Sequence, residues 1–224
     1  MNSKERIRKT ADFLWNELQK SIFFQDNNQR SLEYRYEHSL RVANIGRLIA
    51  LEEGINEEKT VISCLLHDIG YSMEFKDKSE YINHGRIGAK LARPFLSELG
   101  YSEQEVEEMC FGIAIHVDDK ADFEHESTKL ALTIGDADNI DRFDAFRLYE
   151  SLQNIDYMNL SLQEQCDWLN KNFERLNYLK NVNMATPTAK KMWEEKIDFQ
   201  IAFFNKLKMQ AENSRINKIL AFFN

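Results

Sequence analysis

Histidines stand at positions of this sequence where amphipathic helices place apolar side chains. His38 is followed at four, seven and eleven residues by Val42, Ile45 and Ile49, which is the spacing of one helical face. Imidazole nitrogens are ligands for divalent metals, and rigid helices fix the geometry that such ligands need. His38 is therefore a candidate metal ligand that faces inward.

Acidic side chains also occur among apolar residues. His67 and Asp68 follow the apolar segment 61–66, and Asp136 and Asp138 lie in the run GDADNIDRFDA. An uncompensated carboxylate in a protein core costs roughly several kcal/mol through loss of hydration. A divalent metal shared by these carboxylates and the histidines would explain their placement, and the pattern predicts such a site.

The order of these residues resembles the HD superfamily, which is named for an adjacent His-Asp pair. The matching segments are YEHSLRVA, LLHDIGY and GDADNIDRFDA, and TPTAKKMWEEK at residues 186–196 extends the likeness to bacterial stand-alone HD phosphohydrolases. The resemblance implies an all-α helical bundle with additional C-terminal helices. It also implies a core metal held by four ligands: His38, His67, Asp68 and Asp138.

Two further histidines match positions at which some HD proteins carry additional ones. They are His84 in YINHGRIGAK and His116 in GIAIHVDD. Together with Asp136, the second carboxylate of the acidic pair, they could hold a second metal ion or act as acid and base. One ion and two ions both fit the sequence, and manganese, magnesium, iron, zinc and nickel all remain open. His125, among charged neighbours, is expected at the surface.

The chemistry implied by this resemblance is metal-assisted hydrolysis of a phosphate bond. A bound cation lowers the pKa of its water and neutralises charge on phosphoryl oxygens. Asp68 would bind the metal and orient the water, while His84 or His116 would protonate the leaving oxygen. The candidate phosphate contacts are basic side chains near these ligands: Arg86, Lys90, Arg142 and Arg147.

Three functional hypotheses follow. The first is a phosphohydrolase acting on a small phosphorylated substrate, with a nucleotide expected from the resemblance. The second is a di-iron HD-type oxygenase, which would be coloured and consume oxygen. The third is a non-catalytic sensor that binds a nucleotide without turning it over.

Composition limits the fold class, the kinds of partner and the cellular location that are expected. Among 224 residues, 43% are apolar and 29% charged, with only two prolines and eight glycines, which favours an all-α globular fold. A net charge of -8 argues against bulk nucleic acid or an anionic membrane as partner. The three cysteines are odd in number and expected as buried thiols, and the charged N-terminus lacks an apolar run, so a reducing cytoplasm is expected.

Helical periodicity predicts the elements that position these residues. The expected helices cover 4–20, 32–53, a segment capped by Asn56, a segment containing His84 and Pro94, a segment opened by the capping box Ser102/Glu105, and a segment from about Thr128. Loops are expected at 25–31, 71–81 and 117–127, with more amphipathic helix after Asp144 and a break around 181–187.

The domain prediction is a single domain over 1–224. Its metal-binding core covers about 32–147, and a helical extension covers about 148–224. The C-terminal residues 216–223 form an apolar run that would pack on the body or on a second subunit, so a homodimer is possible.

Overall fold

The computed structural model describes residues 1–21, 24, 29–221 and 223, and these residues form α-helices and short turns without any β-strand. The all-α prediction is therefore confirmed. In chain order the helices are α1 (Ser3–Leu18), α2 (Gln29–Glu53), α3 (Glu57–Leu66), α4 (Lys78–Ile82), α5 (His84–Glu98), α6 (Glu103–Ile115), α7 (Lys129–Arg142), α8 (Ala145–Asn154), α9 (Leu162–Leu179), α10 (Pro187–Asn213) and α11 (Ile216–Leu220).

Side-chain caps fix several helix starts. The Asn56 side chain accepts from the Lys59 amide at 3.0 Å, as expected from the sequence. Ser102 and Glu105 form the predicted capping box, with the Ser102 amide donating to Glu105 at 3.0 Å. These caps satisfy amide groups at the first turns of α3 and α6, the two helices that His67 and His116 directly follow.

Some element boundaries differ from the prediction. Of the expected loop at 25–31, residues 25–28 lie outside the described residues, and α2 already begins at Gln29. The expected loop at 71–81 contains the end of a 3-10 turn, Ile69–Ser72, and most of α4. The break around 181–187 is confirmed between α9 and α10.

The chain divides into two compact units. The first comprises Met1–Asp141 with Ala185–Ala189, and the second comprises Arg142–Met184 with Lys190–Asn224. The first unit begins well before residue 32, because α1 packs against α3 and contributes Leu14 and Leu18 to the core. The single domain over 1–224, with core 32–147 and extension 148–224, stays a prediction.

Two clusters of buried apolar residues pack on α3 in the first unit. On one side of α3, Ile62 and Leu66 pack with Met109 and Ile113 of α6. On the other side its buried residues pack against α2 and α7. The second cluster comprises Val42, Ala43, Val61, Cys64, Leu65, Leu130, Ile134 and Ala137. The apolar contacts among α2, α3, α6 and α7 thus hold the polar side chains of these helices, and of the residues that follow them, close to one another.

Aromatic packing organises the second unit. The rings of Phe143 and Trp193 lie 4.8 Å apart, and those of Trp168 and Phe204 lie 5.2 Å apart. The Trp193 indole donates to the Leu179 carbonyl at 2.8 Å. Trp168 and Trp193 are therefore packing residues of this unit.

Three further expectations concern the whole chain. Cys64, Cys110 and Cys166 are buried thiols, as predicted. Within the described part of the chain, no helix combines the length and hydropathy that a membrane crossing requires. The apolar side chains of Ile216 and Phe223 are exposed, residue 222 lies outside the described residues, and the homodimer stays a prediction.

Candidate metal centre

Six buried side chains of the first unit converge on one point. They come from α2, the turn after α3, the start of α5, the residue after α6, and α7. Three overlapping groups of them place one ligand atom per residue within 4.8 Å of one another. The six are His38, His67, Asp68, His84, His116 and Asp138, and we call them the metal cluster.

Asp68 lies at the centre of the metal cluster. Its Oδ2 is 3.5 Å from Nε2 of His38 and 3.4 Å from Nε2 of His67. Its Oδ1 is 3.2 Å from Nε2 of His84 and 3.6 Å from Nε2 of His116. The two oxygens of one carboxylate therefore face two different pairs of histidines, which is an arrangement able to bridge two cations.

Asp138 completes the side of the cluster that contains His38 and His67. Its Oδ1 lies 3.2 Å from Nε2 of His38 and 3.8 Å from Nε2 of His67. Burial opposes ionisation of Asp138, but the neighbouring imidazoles outweigh it and hold the pKa of the carboxyl well below its usual range. Asp138 is therefore available as an anionic ligand.

Backbone hydrogen bonds orient three of the histidines. Each donates Nδ1–H to the carbonyl three residues earlier, at 2.7 Å for His67, 2.6 Å for His84 and 2.7 Å for His116. These hydrogen bonds fix the orientation of each ring, and the lone pair of Nε2 then points toward the cluster. This is the tautomer that binds a metal ion.

Two features of the cluster fit a cation. Nε2 of His67 is buried, and none of the described residues gives it a hydrogen-bond partner, which a bound cation would supply. At His38, burial lowers the imidazole pKa, but Asp138, Asp141 and Asp68 raise it to about 9. The site thus favours positive charge, and its imidazole and carboxylate donors suit a divalent transition metal.

Two glycines let the backbone segments that carry His84 and His116 approach each other closely. A Cβ at Gly70 would lie 2.3 Å from the His84 carbonyl oxygen, and one at Gly85 would lie 2.6 Å from the Ala114 oxygen. Without these side chains, the turn after α3 and the helices α5 and α6 come close enough to place Nε2 of His84 3.2 Å from Nε2 of His116.

Asp141 supports the metal cluster from outside, and the sequence analysis missed it. Its Oδ2 accepts from Nδ1 of His38 at 2.7 Å, and its Oδ1 accepts from Nε of Arg41 at 2.8 Å. Burial opposes ionisation of Asp141, but these hydrogen bonds outweigh it and lower the pKa of the carboxyl. Asp141 lies three residues after Asp138, so both carboxylates share one face of α7. This spacing is the feature of the sequence that could have identified Asp141.

Replacing Asp141 with asparagine is expected to weaken metal affinity about 10- to 100-fold, because His38 loses the anion that orients and polarises it. Isothermal titration with Mn²⁺ would measure the change. The exposed Asp12 on α1 offers a matched control as Asp12→Asn. An unchanged affinity in Asp141→Asn, with normal thermal stability of the metal-free protein, would contradict this role.

Arg35 is a second residue that sequence reasoning missed. Its guanidinium forms an ion pair with Oδ2 of Asp68 and lies 3.8 Å from the centre of the Tyr71 ring. The sequence feature that could have identified Arg35 is its position about one helical turn before His38 on α2. Arg35 brings a positive charge into direct contact with the metal cluster.

The predicted basic residues lie in different surroundings. Nη1 of Arg86 is 2.7 Å from Asp118, and Nζ of Lys90 is 2.6 Å from Asp122. Both charges are therefore paired with acids of the 117–127 loop. The other two predicted phosphate contacts, Arg142 and Arg147, belong to the second unit, where Arg147 pairs with Glu150 at 2.8 Å. All four phosphate contacts stay predictions.

The structure does not bring Asp136 into the metal cluster. Its Oδ2 accepts from the Ala185 amide at 2.8 Å, and burial raises its pKa to about 6. Its share in a second metal site or in acid-base chemistry stays a prediction that this geometry does not support. His125, expected at the surface, is partly buried against Phe111 at a ring distance of 5.4 Å and belongs to none of the three ligand groups.

The family model of the HD domain matches residues 35–142. This range includes all six residues of the metal cluster. Among curated proteins, an "Uncharacterized protein" of Clostridium beijerinckii is 30% identical over 99 residues, which cover 43% of this chain and 61% of that protein. Ribonuclease Y of Mycoplasma mycoides is 32% identical over 103 residues, covering 46% of this chain and 21% of that enzyme. The chain therefore matches less than two thirds of either relative.

Two solved structures share the fold over nearly the whole chain. A predicted HD superfamily hydrolase from an uncultured Thermotogales bacterium has a TM-score of 0.61 at 20% identity, covering 94% of this chain and 99% of that one. An HD-superfamily hydrolase from Bacillus thuringiensis has a TM-score of 0.67 at 21% identity, covering 96% and 100%. At these identities the likeness establishes the fold.

Proposed function

We propose that this chain, whose residues 35–142 match the HD-domain model, is a metal-dependent hydrolase that cleaves a phosphate bond in a small substrate. The proposed ligands of its core divalent metal are His38, His67, Asp68 and Asp138. The observation that carries the proposal is the buried carboxylate of Asp68, which lies between two pairs of imidazole nitrogens.

The proposed reaction uses water rather than a protein nucleophile. A bound divalent cation supplies an acidified water and neutralises charge on the phosphoryl oxygens. Both carboxylate oxygens of Asp68 face the metal cluster, so Asp68 would bind the metal and orient the attacking water. The Nδ1–H groups of His67, His84 and His116 are already bonded to backbone carbonyls, so only their Nε2 atoms face the reacting groups.

We further propose that His84 and His116 take part in a second metal site. Both Nε2 atoms lie near Oδ1 of Asp68, at 3.2 and 3.6 Å, which favours a shared cation over two separate proton donors. In a mononuclear site, these two nitrogens would take up a proton, and the resulting imidazolium would give it to the leaving oxygen. Metal counting distinguishes the two arrangements.

Arg35 is the phosphate contact that the geometry supports best. It already contacts an anionic oxygen of Asp68, and a phosphoryl oxygen next to Asp68 would offer the same guanidinium another anion. Arg86 and Lys90 would first have to leave Asp118 and Asp122. A nucleotide is the proposed substrate because of the resemblance to the HD superfamily, and the net charge of -8 gives no bulk attraction for a polymeric polyanion.

Release of phosphate or pyrophosphate from nucleotides and simple phosphate esters would test the function. We expect release only after addition of manganese, magnesium, ferrous iron, zinc or nickel, loss of release with a chelator, and recovery when the ion is restored. Bound metal without release from any compound would overturn the hydrolase. Oxygen consumption by the iron form would then support an oxygenase, and a nucleotide that raises the melting temperature without turnover would support a sensor.

A further inference from the structure

Three aromatic side chains cluster in the segment between Asp68 and His84. The ring centres of Tyr71 and Phe75 are 5.4 Å apart, those of Tyr71 and Tyr81 are 5.8 Å apart, and those of Phe75 and Tyr81 are 5.9 Å apart. All three pairs pack edge to face, which is a favoured geometry for aromatic rings. We call these residues the aromatic triad.

The aromatic triad adjoins the metal cluster at the imidazole of His84. The ring of His84 lies 4.8 Å from Tyr71, 6.5 Å from Phe75 and 5.8 Å from Tyr81. The Tyr81 carbonyl also accepts the Nδ1–H of His84. A substrate with its phosphate at Asp68 would therefore extend its organic part past His84 toward these rings.

The triad presents apolar surface to solvent. Tyr81 is 49% exposed, and its neighbours along the segment, Met73 and Ile82, are 49% and 39% exposed. Tyr71 and Phe75 are partly covered, and the Arg35 guanidinium lies against the Tyr71 ring. A cluster that served only to pack the segment would be expected to bury its rings, so the exposure of Tyr81 beside a reactive site points to a ligand.

We propose that Tyr81, held by Tyr71 and Phe75, stacks on the planar base of a nucleotide and thereby selects nucleotides over esters without an aromatic group. The inference rests on the proposed hydrolase function with its nucleotide substrate, and it assigns the residue that recognises the base. A flat aromatic base suits the exposed ring because stacking needs only two π-faces and tolerates different bases. The edge-to-face contacts with Tyr71 and Phe75 restrict the Tyr81 ring, so the ring loses little conformational entropy when a base binds.

The test compares Tyr81→Leu, which keeps apolar bulk without a ring, with Tyr81→Phe, which keeps the ring. The first measurement is binding of adenosine, cytidine, guanosine and uridine monophosphates to the metal-loaded protein, with glycerol phosphate as the non-aromatic probe. We expect Tyr81→Leu to weaken binding of the preferred nucleotide about fivefold or more and Tyr81→Phe to restore it. Tyr178→Leu, at an exposed tyrosine of the second unit, is the matched control.

The second measurement is the ratio of kcat/KM for the nucleotide to that for glycerol phosphate, which should fall by a similar factor in Tyr81→Leu. Wild-type protein that binds no nucleotide more tightly than glycerol phosphate would overturn the inference. Turnover with an unchanged ratio in Tyr81→Leu would overturn it and leave the hydrolase intact. Tyr81-dependent nucleotide binding without any turnover would support the inference and contradict the hydrolase.

Discussion

Substitution of Asp68 with alanine is expected to abolish metal binding and hydrolysis together. One carboxylate faces Nε2 of His38 and His67 through Oδ2, and Nε2 of His84 and His116 through Oδ1. Its loss removes an anionic ligand from both sides of the metal cluster. Because metal-based stabilisation is worth several kcal/mol, we expect kcat/KM to fall at least about a thousandfold. Metal analysis of the purified protein and phosphate release would measure the two effects.

The acidic pair on α7 gives this prediction a matched control. Asp138→Asn should reproduce much of the loss, since Asp138 lies 3.2 Å from His38. Asp136→Asn should keep kcat/KM within about threefold, because an amide oxygen can still accept from Ala185. Metal loss in Asp136→Asn with normal metal in Asp138→Asn would show that the other carboxylate is the ligand.

The second large effect is expected from His84→Ala and His116→Ala. If both nitrogens hold a cation with Asp68, either substitution should lower bound metal from about two ions per chain to about one. Turnover should fall about a hundredfold or more, while the His38 side of the cluster still binds. Elemental analysis after equilibration with Mn²⁺ would give the metal content directly.

His125→Ala is the matched control for this pair, because His125 lies in none of the three ligand groups and should leave both metal content and turnover as in wild type. A wild-type content of about one ion, unchanged in His84→Ala and His116→Ala while turnover is lost, would contradict the second metal. That result would assign the two histidines to proton transfer.

Much of the metal cluster followed from local sequence. Helical spacing is a property of a short segment, so it placed His38 on the buried face of α2 before any contact was known. The His-Asp pair after an apolar helix and the later aspartate reproduced the HD pattern, which agrees with the match of residues 35–142 to the HD domain. The all-α fold is confirmed. The cytoplasmic location and the nucleotide substrate remain predictions.

Other features depended on how the helices pack. Side chains two residues apart on a helix point about 160° away from each other, so only one of Asp136 and Asp138 can face the cluster. The sequence does not say which, because helix rotation is set by distant partners. In the structure Asp138 turns toward His38, and Asp136 turns toward the amide of Ala185, a residue distant in the chain.

The sequence by itself determined which residue types could bind a metal and on which helical faces they lie, because both depend on near neighbours in the chain. Tertiary structure alone decided that Asp68 lies between two pairs of histidines, that Asp141 and Arg35 contact the cluster, and that Arg86 and Lys90 are paired with acids. These contacts join separate elements. Their distances depend on helix rotation, axial shift and close approach, none of which periodicity encodes.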